Sequence, residues 1–325
     1  MYCPKIDDIP PPQIDKTGWP WTETSDPLSD YLPDGSPWPK ISIVTPSYNQ
    51  APFLEETIRS VLLQGYPNLE YIIIDGGSTD DSVEIIKRYE PWLTYWVSEP
   101  DRGQSFAINK GFEKATGDIF GWINSDDYYA PNVLSHIATM FKRNQTSWIS
   151  GVCDTITPDR QIRLGNESEP PEFENWLIKC PLRQPSVFWQ RELWQAVGGV
   201  DTRMQYSFDY ELWMRFSEKQ SRPTWTTRHL AYFRVHQSSK TFKSRENFYR
   251  EDWVVFRRNI HRVDNIFKRL SLNFKRREKC ANFYISISNR SIPVPKKIFI
   301  GLSYAPWWIF RKNFYYKIKN MIFPC

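Results

Sequence analysis

The run Ile119-Phe120-Gly121-Trp122-Ile123-Asn124-Ser125-Asp126-Asp127 is an apolar segment that stops on two adjacent carboxylates. If the segment is a buried strand, both carboxylates project from the carboxyl edge of a sheet, where hard oxygen ligands can hold a divalent cation against a diphosphate. A structural role competes with that reading. Ser and Asp are favoured N-caps, and a helical pattern starts near Pro131, so Ser125, Asp126 or Asp127 could simply cap it.

Three other segments end in the same manner, and ligands of open α/β sheets gather outside strand carboxyl ends. The first delivers Thr45-Pro46-Ser47-Tyr48-Asn49, with an aromatic ring able to stack on a base and a turn leading into a helix. The second delivers Asp75-Gly76-Gly77-Ser78-Thr79-Asp80, where glycine permits close backbone approach and Ser78 or Thr79 is placed to cap the next helix. The third delivers Glu99-Pro100-Asp101-Arg102-Gly103-Gln104-Ser105, a cation and an amide at another helix start. Any one of these is ordinary turn chemistry, because Gly, Asp, Ser and Pro punctuate loops generally. Four in chain order point to one site.

The elements that must position them follow from periodicity. Ile41-Ser42-Ile43-Val44 reads as a buried strand, and residues 53 to 63 have helical spacing at Leu54, Ile58, Val61 and Leu62. Strands are expected over residues 69–74, 93–97 and 118–123, with helices over 79–89 and 105–115 between them. Such alternation implies parallel pairing with right-handed crossovers. After a helix over 131–143 the pattern loosens, with hairpin strands over 148–156 and 161–164, strands over 186–189 and 229–234, and helices over 191–197 and 210–219.

Composition narrows the class. With 325 residues the chain can bury a full core, as one large α/β domain or a catalytic domain with appended ends. Aromatic residues reach 16%, so ring surface is available for stacking on base or sugar. The net charge of +5 is uneven: residues 1–39 lean acidic, while Arg257 to Lys319 is crowded with Lys and Arg, which suits an anionic surface or substrate. Residues 1–39 carry repeated Pro with Trp19, Trp21 and Trp38 and no period, and read as an irregular arm that wraps the body. Five scattered cysteines, Cys3, Cys153, Cys180, Cys280 and Cys325, form no Cys-x-x-Cys pair and read as reduced thiols. With no apolar leader at the start, the expected location is the cytoplasm, with peripheral attachment to the inner face of the membrane as an open alternative. The apolar stretch Ile298 to Phe310 is shorter than the ~20 residues of a spanning helix. Flanked by Lys296, Lys297, Arg311 and Lys312 and holding Trp307 and Trp308, it fits an interfacial anchor on anionic lipid; packing on the body is the competing reading.

Taken as an ordered set, Thr45-Pro46-Ser47-Tyr48-Asn49-Gln50, Asp75-Gly76-Gly77-Ser78-Thr79-Asp80 and Asn124-Ser125-Asp126-Asp127 resemble the family 2 glycosyltransferases of the GT-A fold, over roughly Lys40 to Thr241. The resemblance implies an α/β fold with a Rossmann-like nucleotide-binding half over 40–127 and a mostly parallel central sheet. A mixed acceptor half over 128–241 and a basic, aromatic helical extension over 242–325 complete the expected organisation. It places Thr45, Pro46 and Tyr48 in the nucleotide pocket, Asp126 facing the ribose, and Asp127 as ligand of Mg²⁺ or Mn²⁺. Asp209, in Ser207-Phe208-Asp209-Tyr210-Glu211, stands where the family places its catalytic carboxylate, with an N-cap as the alternative and Glu211 as a nearby competitor on the acceptor side. Gln184 is expected to line the acceptor side. His236, in Arg234-Val235-His236-Gln237-Ser238-Ser239-Lys240-Thr241, would complete the metal shell or touch the diphosphate, or else is a structural histidine. Lys240 would meet phosphate. Many relatives carry Asp where Gly76 stands and Arg where Ile108 stands, which leaves the base unassigned, with Arg102, Gln104 or Asp75 as substitutes.

The expectation is therefore a metal-dependent, inverting transfer of one sugar from a nucleotide-sugar donor to a saccharide or lipid-linked hydroxyl acceptor, in surface polysaccharide or lipid-linked oligosaccharide assembly. A sugar nucleotidyltransferase would ordinarily show a Gly-rich loop with a basic residue after the first strand, and Thr45 to Gln50 holds neither. A non-catalytic carbohydrate-binding protein on the same fold is the other alternative, opposed by the joint presence of Asp126, Asp127 and Asp209. No Gly-x-Gly-x-x-Gly follows a strand, and no nucleic-acid module is recognisable.

Overall fold

A computed structural model describes residues 4–32, 34–159, 161–165, 167–220, 222–286 and 293–306. Cys3, Cys325, Arg160, Trp307, Trp308, Arg311 and Lys312 lie outside the described residues. The chain divides into two compact units, one of Met1–Pro170 with Pro181–Phe248, the other of Pro171–Cys180 with Tyr249–Cys325.

In the first unit β1 (Ile41–Ser47), α1 (Ala51–Leu62), β2 (Leu69–Asp75), α2 (Ser82–Tyr89), β3 (Tyr95–Ser98), α3 (Gln104–Lys114) and β4 (Ile119–Trp122) alternate. Strands β3, β2, β1 and β4 lie side by side in that order, all parallel. Every residue of β1, β2 and β4 is buried, the signature of parallel strands covered on both faces. The parallel arrangement brings four strand ends to one edge.

The sheet then changes character. It continues through β5 (Tyr128–Tyr129), α4 (Val133–Asn144), β6 (Trp148–Ile156), β7 (Ile162–Arg163), β8 (Val187–Gln190), α6 (Arg191–Val197), α7 (Phe208–Lys219), β9 (Thr224–Arg234) and α8 (Lys240–Lys243), with α5 (Phe173–Trp176) in the second unit. Strand β8 joins β4 antiparallel, β6 joins β8 antiparallel, and β9 runs parallel to β6 and antiparallel to β5. The fold is thus mixed α/β, with a parallel half merged into a mixed half.

Some boundaries differ from the sequence expectation for identifiable reasons. Helix α2 starts at Ser82 because Asp80 Oδ2 accepts from Ala51 N at 3.0 Å and Ser82 Oγ accepts from Gln50 N at 3.1 Å, so the loop caps α1. Ser78, expected to cap α2, donates to Asp75 Oδ1 at 2.5 Å. Strand β9 begins at Thr224 because it follows β6 past the register shift between Gly151 and Cys153.

The N-terminal arm is anchored by a buried cation. Arg59, fully buried on α1, donates to the carbonyls of Pro10, Pro20 and Trp21 at 2.7, 3.0 and 2.8 Å. Three carbonyls held by one guanidinium tie down a largely irregular segment that holds a short 3-10 helix at Ile6–Asp8.

The second unit is built on α9 (Arg245–Asn259), α10 (Ile266–Ser286) and α11 (Val294–Tyr304). Fully buried Arg276 donates to Ile178 O at 2.6 Å and lies 3.2 Å from Asp252 Oδ2, while Tyr249 and Phe283 stack at 3.8 Å. Among the described residues no helix is long and apolar enough to cross a membrane.

Candidate active site

The two aspartates after β4 occupy different environments. Asp127 is fully buried: its Oδ1 accepts from Arg234 N at 2.8 Å and its Oδ2 from Asn124 Nδ2 at 3.4 Å. Burial first, and then the negative charge of Asp126, hold its pKa well above the ordinary carboxylate range. Asp126 keeps 19% of its side chain exposed and presents Oδ2 at 3.0 Å from Nε2 of His236. The His236 ring packs on Phe53 at 4.4 Å, and its Nδ1 lies 2.7 Å from Ser238 Oγ.

Capping is done by another residue. Helix α4 receives its cap from Gln64 of the segment after α1, whose Oε1 accepts from Val133 N at 2.8 Å and Leu134 N at 3.3 Å. The aspartates are therefore not the caps of that helix. Arg234, to which the sequence reading gave no role, holds the corner in place: its guanidinium donates to Asp126 O and to Glu56 Oε2, each at 2.8 Å, and lies 4.8 Å from the Phe53 ring. An arginine at the end of a strand is a weak signal in sequence, because its partners are 107 and more residues away.

Asn124, two residues before Asp126, is a second unassigned residue. Its Oδ1 accepts from Gln104 Nε2 at 2.7 Å and its Nδ2 donates to Gln184 Oε1 at 3.0 Å. Gln184 is buried and donates to Trp122 O at 2.9 Å. Lys240 Nζ donates to Gln104 Oε1 and to Gln205 O, each at 3.1 Å, and lies about 6 Å from the rings of Tyr206 and Phe208. A chain of hydrogen bonds through Lys240, Gln104 and Asn124 thus runs from the entry of α7, through the start of α3, to the aspartate corner.

The loops after β1 and β2 are stitched together. Asn49 adopts a left-handed φ of 52°, accepts from Thr79 N at 2.8 Å, and donates its own N–H to Ser78 Oγ at 2.8 Å. Tyr48, beside it, is 60% exposed, as a stacking platform would be. Pro46 is buried within β1, and Thr45 is buried with its hydroxyl 3.1 Å from Tyr71 Oη. Asp75 is fully buried and accepts from Gly77 N, Ser78 N, Ser78 Oγ and Ser98 Oγ at 2.5–3.1 Å. Its oxygens serve the turn. A Cβ on Gly76 would lie 3.1 Å from Oδ2 of Asp101, so a carboxylate from the neighbouring loop fills the space beside that glycine. Arg102 is exposed, with its guanidinium 5.6 Å from the Phe106 ring.

Asp209 is half-buried in the first turn of α7, where the N-cap position belongs to Ser207 and where a helix dipole favours a carboxylate. Its Oδ1 accepts from Tyr210 N at 2.7 Å. Glu211 is buried in a bidentate pair with Arg215, with N–O distances of 2.7–3.0 Å, and Arg215 in turn donates to Val197 O and Gly199 O.

The donor set of the corner fits a divalent cation. A carboxylate and an imidazole stand 3.0 Å apart with part of each exposed, and a second buried carboxylate beside them is held back from ionising, a penalty that a cation relieves. Among the described residues no three His, Cys, Asp or Glu groups are clustered so as to hold a metal ion by themselves. An incomplete protein shell is the usual form of Mg²⁺ sites that are finished by phosphate and water.

With this geometry in hand, the comparisons with known proteins are informative. The family model described as Glycosyl transferase family 2 matches residues 42–191. An uncharacterized glycosyltransferase of Mycobacterium tuberculosis is 40% identical over 183 residues, which cover 54% of this chain and 68% of that one. One of Rickettsia prowazekii is 29% identical over 194 residues, covering 55% of this chain and 58% of that one, so the match spans about three fifths of that relative's length. Among solved structures, Staphylococcus aureus TarS 1–349 in complex with UDP-GlcNAc aligns with a TM-score of 0.62 at 14% identity, covering 87% of this chain and 82% of that one. Mannosyltransferase PcManGT of Pyrobaculum calidifontis, in complex with GDP-Man and Mn²⁺, aligns with a TM-score of 0.53 at 19% identity, covering 90% and 89%. At these identities the likeness is one of fold.

Proposed function

Since the chain belongs to glycosyl transferase family 2 and has the GT-A type of fold, we propose that it transfers one sugar from a nucleotide-sugar donor to a hydroxyl of a saccharide or lipid-linked acceptor, with inversion and with a divalent cation. The observation that carries the reading is the corner of Asp126, Asp127 and His236 at the edge where the loops after β1 to β4 converge.

In this reading the exposed Tyr48 ring stacks on the base, and Asp126 orients the nucleoside. Asp127 and His236 hold Mg²⁺ or Mn²⁺, which when bound neutralises the diphosphate leaving group. Arg234 holds the Asp127 carboxylate through its own N–H and the Asp126 backbone carbonyl through its guanidinium. Asp209 takes the proton from the acceptor hydroxyl, on the face opposite the departing nucleotide. Glu211, through its pair with Arg215, fixes α7 and so the position of Asp209, while Gln184 fixes Asn124 on the acceptor side. Lys240, reached through Gln104, lies beside the rings that precede Asp209 and serves the phosphates. Arg102 and Asp101 border the base and set its identity. Residues 40–241 carry this chemistry. Cys153 and Cys280 form no disulfide, which agrees with a reducing setting.

Calorimetric titration with UDP, GDP, CDP and dTDP, with and without Mn²⁺, tests it. One nucleotide should bind in a Mn²⁺-dependent manner and lose binding in Asp127→Ala; absence of binding to all four would overturn the assignment of the corner as a donor site.

A further inference from the structure

The second unit carries a feature that lies outside residues 40–241. On α10 the exposed apolar residues Ile266, Leu270 and Phe274 recur at spacings of four, and Phe267 lies on the same side. Phe267 is 77% exposed and Leu270 60% exposed, while the opposite side of the helix buries Leu272, Arg276 and Cys280. The helix therefore has two sides with apolar residues, one of them buried and the other carrying exposed Ile266, Phe267 and Leu270. Contiguous exposed apolar surface marks a site of interaction.

At the end of that stripe the next position, three residues beyond Phe274, is Arg277. It lines a cavity of about 440 Å³ together with Trp253, Phe256, Arg257, Ile260 and Asn273. Arg277 donates from Nε to Asn273 Oδ1 at 3.3 Å, and among the described residues neither Arg277 nor Arg257 meets a carboxylate. Two guanidiniums, an amide and an indole around a cavity suit an anionic oxygen group with an apolar attachment. Between Tyr249 and Ser286 there are ten Lys and Arg against four Asp and Glu, so the surroundings repel cations and attract an anionic surface.

We propose that this unit docks on an anionic phospholipid bilayer, with the α10 stripe entering the boundary between headgroups and acyl chains and a lipid phosphate seated between Arg257 and Arg277. The pairing of an apolar stripe with a phosphate-binding cavity at its end is what a bilayer offers and a free phosphate does not: the phosphate and the hydrocarbon are supplied together. The stripe lies on α10, upstream of the Ile298 to Phe310 stretch that the sequence singled out. The only described part of that stretch, residues 298–306, includes exposed Phe299 on α11.

Co-sedimentation of the full chain with phosphatidylcholine vesicles, with and without 30% phosphatidylglycerol, tests this. Binding should require the anionic lipid and fall as salt rises. Arg257→Glu with Arg277→Glu should lower partitioning by about tenfold or more, since each cation near an anionic surface contributes roughly fivefold. Phe267→Ser with Leu270→Ser should lower it as well, and both pairs are surface changes whose folding is checked by circular dichroism. Inorganic phosphate at millimolar concentration should compete poorly. Equal binding to neutral vesicles, or no change in the double-Glu variant, would overturn the proposal. So would retention of an RNA oligonucleotide without vesicle binding, or a dimer that dissociates in the Ser variant without vesicle binding. Nucleotide titration of the same variants should be unchanged, which separates this outcome from the fate of the donor site.

Discussion

Strand β1 is flanked on one side by β2, which ends on Asp75, and on the other by β4, which leads to Asp126. Both carboxylates stand at the carboxyl edge of parallel strands, and a reading of residue types treats them alike. Their surroundings differ. Asp75 is fully buried and accepts four hydrogen bonds from its own turn and from Ser98, whereas Asp126 keeps part of its carboxylate open and meets one imidazole. A carboxylate surrounded by donors is a strut, and one with unused acceptor capacity at a shared edge is available to a ligand. The number of donors around each group, and not its place at a strand end, separates the two roles.

The comparison can be broken most directly by turnover. Asp126→Ala, and likewise Asp209→Asn at the proposed base, should lower kcat by about 10²–10⁴-fold in a donor-consumption assay, the usual worth of a positioned catalytic group, while leaving the melting transition nearly unchanged. If Asp209→Asn retained near-normal turnover, the base would have to be found elsewhere.

Asp75→Ala should behave in the reverse way. Four donors lose their acceptor in a buried setting, so urea denaturation should register a loss of about 3 kcal/mol. Turnover per folded molecule would then fall only as far as the Asn49–Ser78 stitch loosens. A variant of normal stability and no activity would make Asp75 a ligand-binding group after all.

Asp127 sharpens the contrast, because its burial beside Asp126 raises its pKa in the native state. Native protein then holds a proton that the unfolded chain has released, from the ordinary carboxylate range upward. The resulting stability is fully present below the unfolded pKa and is lost as pH rises through the native value. Asp127→Asn should remove that decline, giving a metal-free protein at least as stable as the parent at pH 7 and yet inactive; equal pH profiles for the two would contradict it.

The smallest effect is expected at Asp80, which caps α1 from the neighbouring loop. Burial opposes its ionisation, but hydrogen bonds from the Ser82 hydroxyl and from the Ala51 and Ser82 N–H groups outweigh that and hold its pKa below the ordinary value. Asp80→Ala should cost about 1 kcal/mol at neutral pH. The difference should shrink as pH falls through the native pKa of Asp80, because a depressed carboxylate stabilises only when ionised.

Much of the fold was legible because its signals are local. Continuous buried runs such as Ile41 to Val44 and residues 69–74, alternating with helical spacing at Leu54, Ile58, Val61 and Leu62, specify parallel strands with crossover helices wherever they occur. The strand ends that the topology gathers at one edge were legible for the same reason, since parallel order places every carboxyl end together. The sequence by itself thus determined the family, the alternation of elements and the short set of residues from which a site could be built. What only the tertiary structure decided was how each of those residues is used. It buried Asp75 and added Ser98 to the donors of its own turn, gave the α4 cap to Gln64, brought Arg234 to the aspartate corner, and joined Gln104, Gln184 and Lys240 into the network that reaches Asn124. Those assignments depend on how many hydrogen-bond partners and how much water reach each group, quantities set by contacts between segments 20 to 136 residues apart in the chain.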